Sequence, residues 1–175
     1  MSQLPKLTFV LGGASSGKSA FAEALVLATG AARAYVATSQ VYDDEMAAKV
    51  RDHLAARGEG WLTIEEPMDM AKALSQIGPD QVVLLDCASM WLTNHMMAES
   101  DLGTATEAFM AALSACAGRV VVVSNEVGMG IVPDNALARR FRIAQGKLNQ
   151  RLAEKADLAV FVVAGLPQVL KGKLP

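Results

Sequence analysis

Aromatic residues are scarce in this chain, at 5% of 175 residues, while hydrophobic residues reach 52%. Ala, Val and Leu must therefore fill the core. Cysteine is nearly absent: Cys87 and Cys116 stand far apart, with no C-x-x-C pattern. That excludes a disulfide framework and a zinc ribbon, and predicts two buried free thiols in a reducing cytosol. No charge of one sign dominates, since 16 Lys and Arg face 18 Asp and Glu for a formal net charge of -2. A global basic field that would hold a nucleic acid backbone is thereby excluded. No stretch is long and apolar enough to span a bilayer, and Met1 to Lys6 carries no signal-peptide apolar region. The expectation is a cytoplasmic protein. Internal repeats, low-complexity tracts and linkers are also missing, so residues 1–175 read as a single domain.

What is present begins almost at once. Lys6-Leu7-Thr8-Phe9-Val10-Leu11 is an apolar, partly β-branched run, and Ala20-Phe21-Ala22-Glu23-Ala24-Leu25 is a run of helix formers. Between them, Gly12-Gly13-Ala14-Ser15-Ser16-Gly17-Lys18-Ser19 fits G-x-x-x-x-G-K-[ST], the phosphate-binding loop, in the strand–loop–helix context that the motif requires. The glycines let successive N–H groups turn inward toward phosphate oxygens. The positive end of the following helix adds to the attraction. In such a loop Lys18 reaches the β- and γ-phosphates, and the Ser19 hydroxyl ligates Mg²⁺. The motif implies nucleoside triphosphate binding and leaves the reaction open.

The rest of the chain alternates. The first helix is predicted to run to about Ala28 and stop at Thr29-Gly30. Ala34 to Ala37 reads as a buried strand whose exit is Thr38-Ser39-Gln40. A helix starts at Asp43-Asp44-Glu45-Met46, with Met46, Val50 and Leu54 on one face and His53 beside that stripe. Trp61 to Glu65 reads as a strand, and Pro67 opens a helix to about Gln76. Val82 to Asp86 is an apolar strand ending in an acid. Helical pattern covers Ser89 to about Ala98, then about Thr104 to Ala117. Arg119 to Val123 is the clearest strand, leaving through a glycine-rich loop to Pro133. Asn135 caps a long helix to about Ala156, Leu158 to Val163 is a strand, and Gly165-Leu166-Pro167 turns into a short tail. Strands alternating with helices predict an α/β, P-loop NTPase-like three-layer fold, with a mostly parallel sheet covered by helices on both faces.

Several residues are candidates for chemistry. Asp86, ending a strand downstream of the phosphate loop, either holds Mg²⁺ directly or through water, or is a strand-end acid that starts a turn; its position after the loop favours the metal role. Imidazole can attack phosphorus and leave again, so His53 suits covalent nucleotidyl transfer, although a lone helical His also reads as a plain boundary residue. His95 is the other histidine. Arg139, Arg140 and Arg142 are either a phosphate-binding group or a solvated helix face. Glu126 either orients a hydroxyl or a metal water, or holds its loop. A switch GTPase would need Asn-Lys-x-Asp to read guanine, and Ser124-Asn125-Glu126-Val127 is not that motif.

Several segments together resemble one family. They are the phosphate loop, Tyr35-Val36-Ala37-Thr38-Ser39, Asp43 to Met46, His53, Trp61 to Glu65, Asp86-Cys87, Trp91-Leu92-Thr93-Asn94, Ser124 to Gly128, Gly130-Ile131-Val132-Pro133, Asn135 to Arg142, and Leu148-Asn149-Gln150-Arg151. The family is the bifunctional adenosylcobinamide kinase/adenosylcobinamide-phosphate guanylyltransferase of cobalamin biosynthesis. The resemblance implies two reactions: phosphorylation of adenosylcobinamide with ATP or GTP, then transfer of GMP from GTP, through a guanylylated histidine, to give adenosylcobinamide-GDP and pyrophosphate. It implies His53 as that histidine. It also implies nucleotide contacts at Ala37, Thr38, Ser39, Leu54, Ala55, Ala56, Arg57, Glu65 and Asp86, and assembly as a homotrimer. The chain departs from the family at Ser15, where the loop usually has Arg, and at Met129, where Trp is frequent.

Overall fold

The computed structural model describes residues 4–40 and 58–175. In chain order these form β1 (Leu7–Gly12), α1 (Lys18–Ala28), β2 (Ala32–Ala37), β3 (Trp61–Glu65), α2 (Met70–Leu74), β4 (Gln81–Asp86), α3 (Ala88–Met97), α4 (Leu102–Ala115), β5 (Arg119–Asn125), α5 (Ala136–Lys155), β6 (Leu158–Val163) and β7 (Leu166–Lys171). The strands make one sheet in the order β3-β2-β4-β5-β1-β6-β7. Every pairing is parallel except β6 with β7. The predicted helix around Met46, Val50, His53 and Leu54 lies outside the described residues.

The strand sequences explain the layering. In β4, Val83 and Leu85 face one side of the sheet while Val82 and Leu84 face the other, and all four are buried. Burying a Val or Leu side chain contributes about 1.5–3 kcal/mol, so a strand this apolar is stable only with both faces covered. On one face Ala22 and Val26 of α1 pack against Val10, Tyr35, Val121 and Val160. On the other, residues of α2, α3, α4 and α5 pack against Phe9, Val36 and Val122, with Trp91 and Phe109 supplying the bulk.

Two expectations need correction. Pro67 does not open a helix: α2 begins at Met70, with the Asp69 side chain capping it by accepting from the Lys72 N–H. The Met68 and Asp69 N–H groups instead donate to the Glu66 carboxylate, which fixes a turn before the helix. Nor is the chain after Gly165 a mere tail. Ala164 and Gly165 both have positive φ, 52° and 76°, and turn the chain into β7, antiparallel to β6. Two such residues make the turn whose twist matches a hairpin. Pro167 is tolerated because β7 is the edge strand.

Candidate functional site

All six parallel strands point their carboxyl ends to one edge, from which the loops after β1, β2, β4 and β5 leave. β1 ends at Gly12, and the next residues turn back on themselves: Ser16 N–H donates to Gly13 O at 3.3 Å, and Ser15 and Gly17 have φ of 54° and 89°. A side chain at Gly12 would meet the Ser16 side chain and lie 2.8 Å from the Val162 carbonyl. A side chain at Gly17 would sit 3.0 Å from Gly165 Cα. The loop is thus pressed against the β6–β7 turn, and Gly165 N–H donates to Ser16 O at 2.7 Å. The overlooked hairpin is the wall behind the phosphate loop.

Side chains cap α2, α4 and α5 through Asp69, Asp101 and Asn135, whereas Gly17 at the start of α1, like Cys87 at the start of α3, supplies no side-chain cap. The leading N–H groups of α1 and the partial positive charge of that helix are left to an anion. Lys18 reaches back over the loop, donating from Nζ to Gly13 O at 3.1 Å. Ser19, in the first turn, is half-buried.

The other candidates align along the same edge. Ala37 pairs in register with Glu65 on one side and Asp86 on the other. Asp86 accepts a hydrogen bond from Tyr35 Oη at 3.3 Å. Beyond Ala37, the buried Thr38 hydroxyl accepts from Cys87 N–H and donates to Cys87 O, both at 2.8 Å, across the cis Asp86–Cys87 peptide. Asn94 donates to Thr38 O at 2.7 Å and to Pro67 O at 2.9 Å, tying three segments together. Ser39 follows at the edge, half-buried. The edge therefore gathers residues 12–19, Ala37, Thr38, Ser39, Glu65 and Asp86. His53, Leu54, Ala55, Ala56 and Arg57 lie outside the described residues.

The thiols are as expected, free and buried. Burial, and then the charge of Asp86, pushes Cys87 up to about 12, so it stays protonated beside the site. His95 sits elsewhere. It lies about 10 Å along α3 from Ala88, its ring 4.5 Å from that of Trp91 and its Nε2 3.3 Å from Met68 O. The arginines divide as well. Arg139 donates to Pro133 O and Asp134 O at 2.9 and 2.7 Å, Arg142 donates to Gly128 O, and Arg140 lines a groove between α3, α4 and α5. Two of the three brace the loop after β5.

A buried polar group at the end of β5 went unread in the sequence. Ser124 Oγ donates to Asn149 Oδ1 at 2.7 Å, and Gln145 Nε2 donates to both at 2.9 Å. The Asn125 peptide is held from both sides, its N–H by Ser89 Oγ at 2.9 Å and its carbonyl by Asn149 Nδ2 at 3.1 Å. The available signal was polar residues interrupting apolar faces of β5 and α5, since buried polar groups need partners.

Comparison with known proteins agrees with this architecture. In fold, the chain is similar to the RadB recombinase crystal structure, with a TM-score of 0.51 at 17% identity, covering 89% of this chain and 73% of that one. In sequence, it is 41% identical over 167 residues to the bifunctional adenosylcobalamin biosynthesis protein CobP of Pseudomonas aeruginosa, covering 94% of this chain and 96% of that protein. It is 38% identical to the bifunctional adenosylcobalamin biosynthesis protein CobU of Escherichia coli and 39% to that of Salmonella typhimurium, each covering 94% of this chain and 99% of the relative. The family model described as cobinamide kinase / cobinamide phosphate guanyltransferase matches residues 8–170. With nearly the whole length matched and the phosphate loop built at the sheet edge, the chain belongs to the cobinamide kinase / cobinamide phosphate guanyltransferase family.

Proposed function

We propose that the protein performs two successive transfers at one nucleotide site. In the first, the free hydroxyl of adenosylcobinamide attacks the γ-phosphorus of ATP or GTP, and the nucleoside diphosphate leaves. In the second, His53 attacks the α-phosphorus of GTP and pyrophosphate leaves. A phosphate oxygen of adenosylcobinamide phosphate then displaces the histidine, giving adenosylcobinamide-GDP. A neutral imidazole is a fair nucleophile near pH 7, and its phosphoramidate is reactive enough to pass GMP onward.

One observation carries the nucleotide part of this reading: the uncapped start of α1 and the Lys18 ammonium converge on the turn that Gly12 and Gly17 allow. Backbone N–H groups and Lys18 then bind phosphate oxygens where charge develops. The donor set also fits Mg²⁺. The Ser19 hydroxyl and Asp86 carboxylate are hard oxygen ligands, and no cluster of three or more His, Cys, Asp or Glu forms a cage among the described residues. Mg²⁺ typically takes one or two carboxylates together with substrate phosphates. Bound there, it would neutralise charge on the transferring phosphates. Ala37, Thr38, Ser39 and Glu65 line the edge beside Asp86, where nucleoside contacts would fall; Leu54, Ala55, Ala56 and Arg57 are assigned to the same contacts on the family resemblance alone.

In this reading the protein works in the cytoplasm as a homotrimer. No helix among the described residues is long and apolar enough to cross a membrane. Ile131, 96% exposed, and Met129, 79% exposed, offer apolar surface for a second copy.

The experiment is to supply adenosylcobinamide with ATP and GTP and resolve the corrinoid products by chromatography. The phosphate should appear first and the GDP derivative second. Asp86→Asn should need more Mg²⁺ and slow both steps. Normal Mg²⁺ dependence in that variant would remove Asp86 from the metal site.

A further inference from the structure

Resting on the two-step reading above, we propose that Glu126 takes the proton from the acceptor hydroxyl in the phosphoryl step and has no proton-transfer role in GMP transfer. The two acceptors differ in chemistry. An alcohol is protonated at neutral pH and must lose its proton as the new O–P bond forms and the bond from the γ-phosphorus to the leaving diphosphate breaks. The phosphate acceptor of the second step is already an anion and needs no base. A carboxylate beside the γ-phosphate position thus serves one step only.

Sheet order decides which carboxylate is beside that position. β5 lies between β1, which feeds the phosphate loop, and β4, which ends in Asp86. Strands lie about 4.8 Å apart, so an acid leaving β5 stands about 5 Å from the line of β1, one ending β4 about 10 Å, and one ending β3 about 19 Å. Those acids are Glu126, Asp86 and Glu65. Glu126 is also tied to the loop directly, since its N–H donates to Gly12 O at 3.0 Å.

Its side chain is half-buried and held. Glu126 Oε1 accepts from the Gly128 N–H, while Oε2 makes no hydrogen bond within the described residues. Nor does any Lys or Arg among the described residues pair with it. The carboxylate keeps an oxygen for a substrate proton. The backbone around it is fixed from elsewhere. Ser89 and Asn149 grip the Asn125 peptide, and Arg142 holds Gly128 O. A carboxylate fixed by its surroundings at the loop's edge is what positioned proton transfer requires.

The rival is a purely structural Glu126 that closes its own turn through Gly128. Glu126→Gln separates them, because the amide oxygen still accepts from Gly128 N–H but cannot take a proton. The two reactions are run apart on the full-length protein: phosphorylation of adenosylcobinamide by γ-labelled ATP, and transfer of α-label from GTP to adenosylcobinamide phosphate prepared beforehand. We expect E126Q to lower kcat for phosphorylation at least about 100-fold, with KM for ATP within about threefold of wild type. GMP transfer should lose no more than about threefold. E126D, which retains a base on a shorter stem, should recover part of the phosphorylation. Phosphorylation by E126Q within about fivefold of wild type, or an equal loss in both reactions, would overturn the assignment. If the wild-type protein forms no phosphorylated corrinoid while its GTP labelling persists, the two-step reading fails, and the assignment with it.

Discussion

Two loops leave adjacent strands at the same edge and are built in opposite ways. The phosphate loop after β1 is made mostly of itself: Gly12 and Gly17 permit the turn, Ser16 and Gly13 close it, and Lys18 folds back on it. Its distant supports are backbone contacts alone, from the Gly165 N–H to Ser16 O and from the Glu126 N–H to Gly12 O. The loop after β5 is held by residues far along the chain. Ser89, 36 residues before Asn125, and Asn149, 24 residues after it, fix its root, while Arg139 and Arg142 hold its carbonyls. In the proposed reading, the side that binds one constant group, the triphosphate, is encoded locally, while the side that would meet the acceptor depends on helix packing and should be sensitive to substitutions that touch no ligand.

Lys18→Ala strikes the local loop and carries the largest expected effect. Both transfers should fall at least tenfold and about 100-fold or more if Lys18 bears on the transition state, while melting without nucleotide changes little. Equal turnover by the variant would take the phosphate loop out of both reactions. Asn149→Ala strikes the other loop from a distance. It leaves Asn125 O and the Ser124 and Gln145 groups short of a partner in a buried setting, at a cost of about 1–3 kcal/mol. Denaturant unfolding should show that loss. Phosphorylation should slow more than triphosphate binding weakens, measured by titration with a fluorescent GTP analogue. Equal losses in both would mean that the two loops are not separately supported.

That contrast also explains what could be read from the sequence. The phosphate loop, the strand-ending Asp86 and the Ala37–Ser39 exit were legible, because a local motif or an apolar run ending in polar residues marks each. The strands Trp61–Glu65 and Leu158–Val163 were found at their observed limits. β7 was missed because Pro167 reads as a breaker, and only the neighbour β6 makes it an edge strand. The Ser124–Gln145–Asn149 group was missed for the same physical reason: its partners lie 21 and 25 residues apart, and only packing α5 on the sheet joins them. Arg139 and Arg142 read from the sequence as phosphate ligands or a solvated face; in the structure both also donate to carbonyls of the loop after β5, which spacing along the chain does not reveal.

The smallest effect concerns a third exit, after β3, which is built locally like the phosphate loop. Burial acts to raise the Glu66 carboxyl, but the Asp69 N–H, the Lys72 ammonium and the Met68 N–H outweigh it and hold it below its ordinary 4.5. A lowered carboxyl stabilises the fold fully above its unfolded pKa, and the contribution is lost as pH falls through the folded one. Stability should therefore decline in the acid range below about 4.5, and Glu66→Gln should flatten that decline while changing neither transfer. An unchanged acid limb in the variant would deny Glu66 this role.

The central claim is that one nucleotide site serves two chemistries, of which only one uses a histidine. The direct measurement is label retained on denatured protein after incubation with α-labelled or γ-labelled GTP, in wild type, His53→Ala and His95→Ala. The account predicts α-label on wild type and His95→Ala, none on His53→Ala, γ-label on none of the three, and continued phosphorylation of adenosylcobinamide by His53→Ala. Label retained by His53→Ala but lost from His95→Ala, or full GMP transfer by the His53 variant, would contradict it.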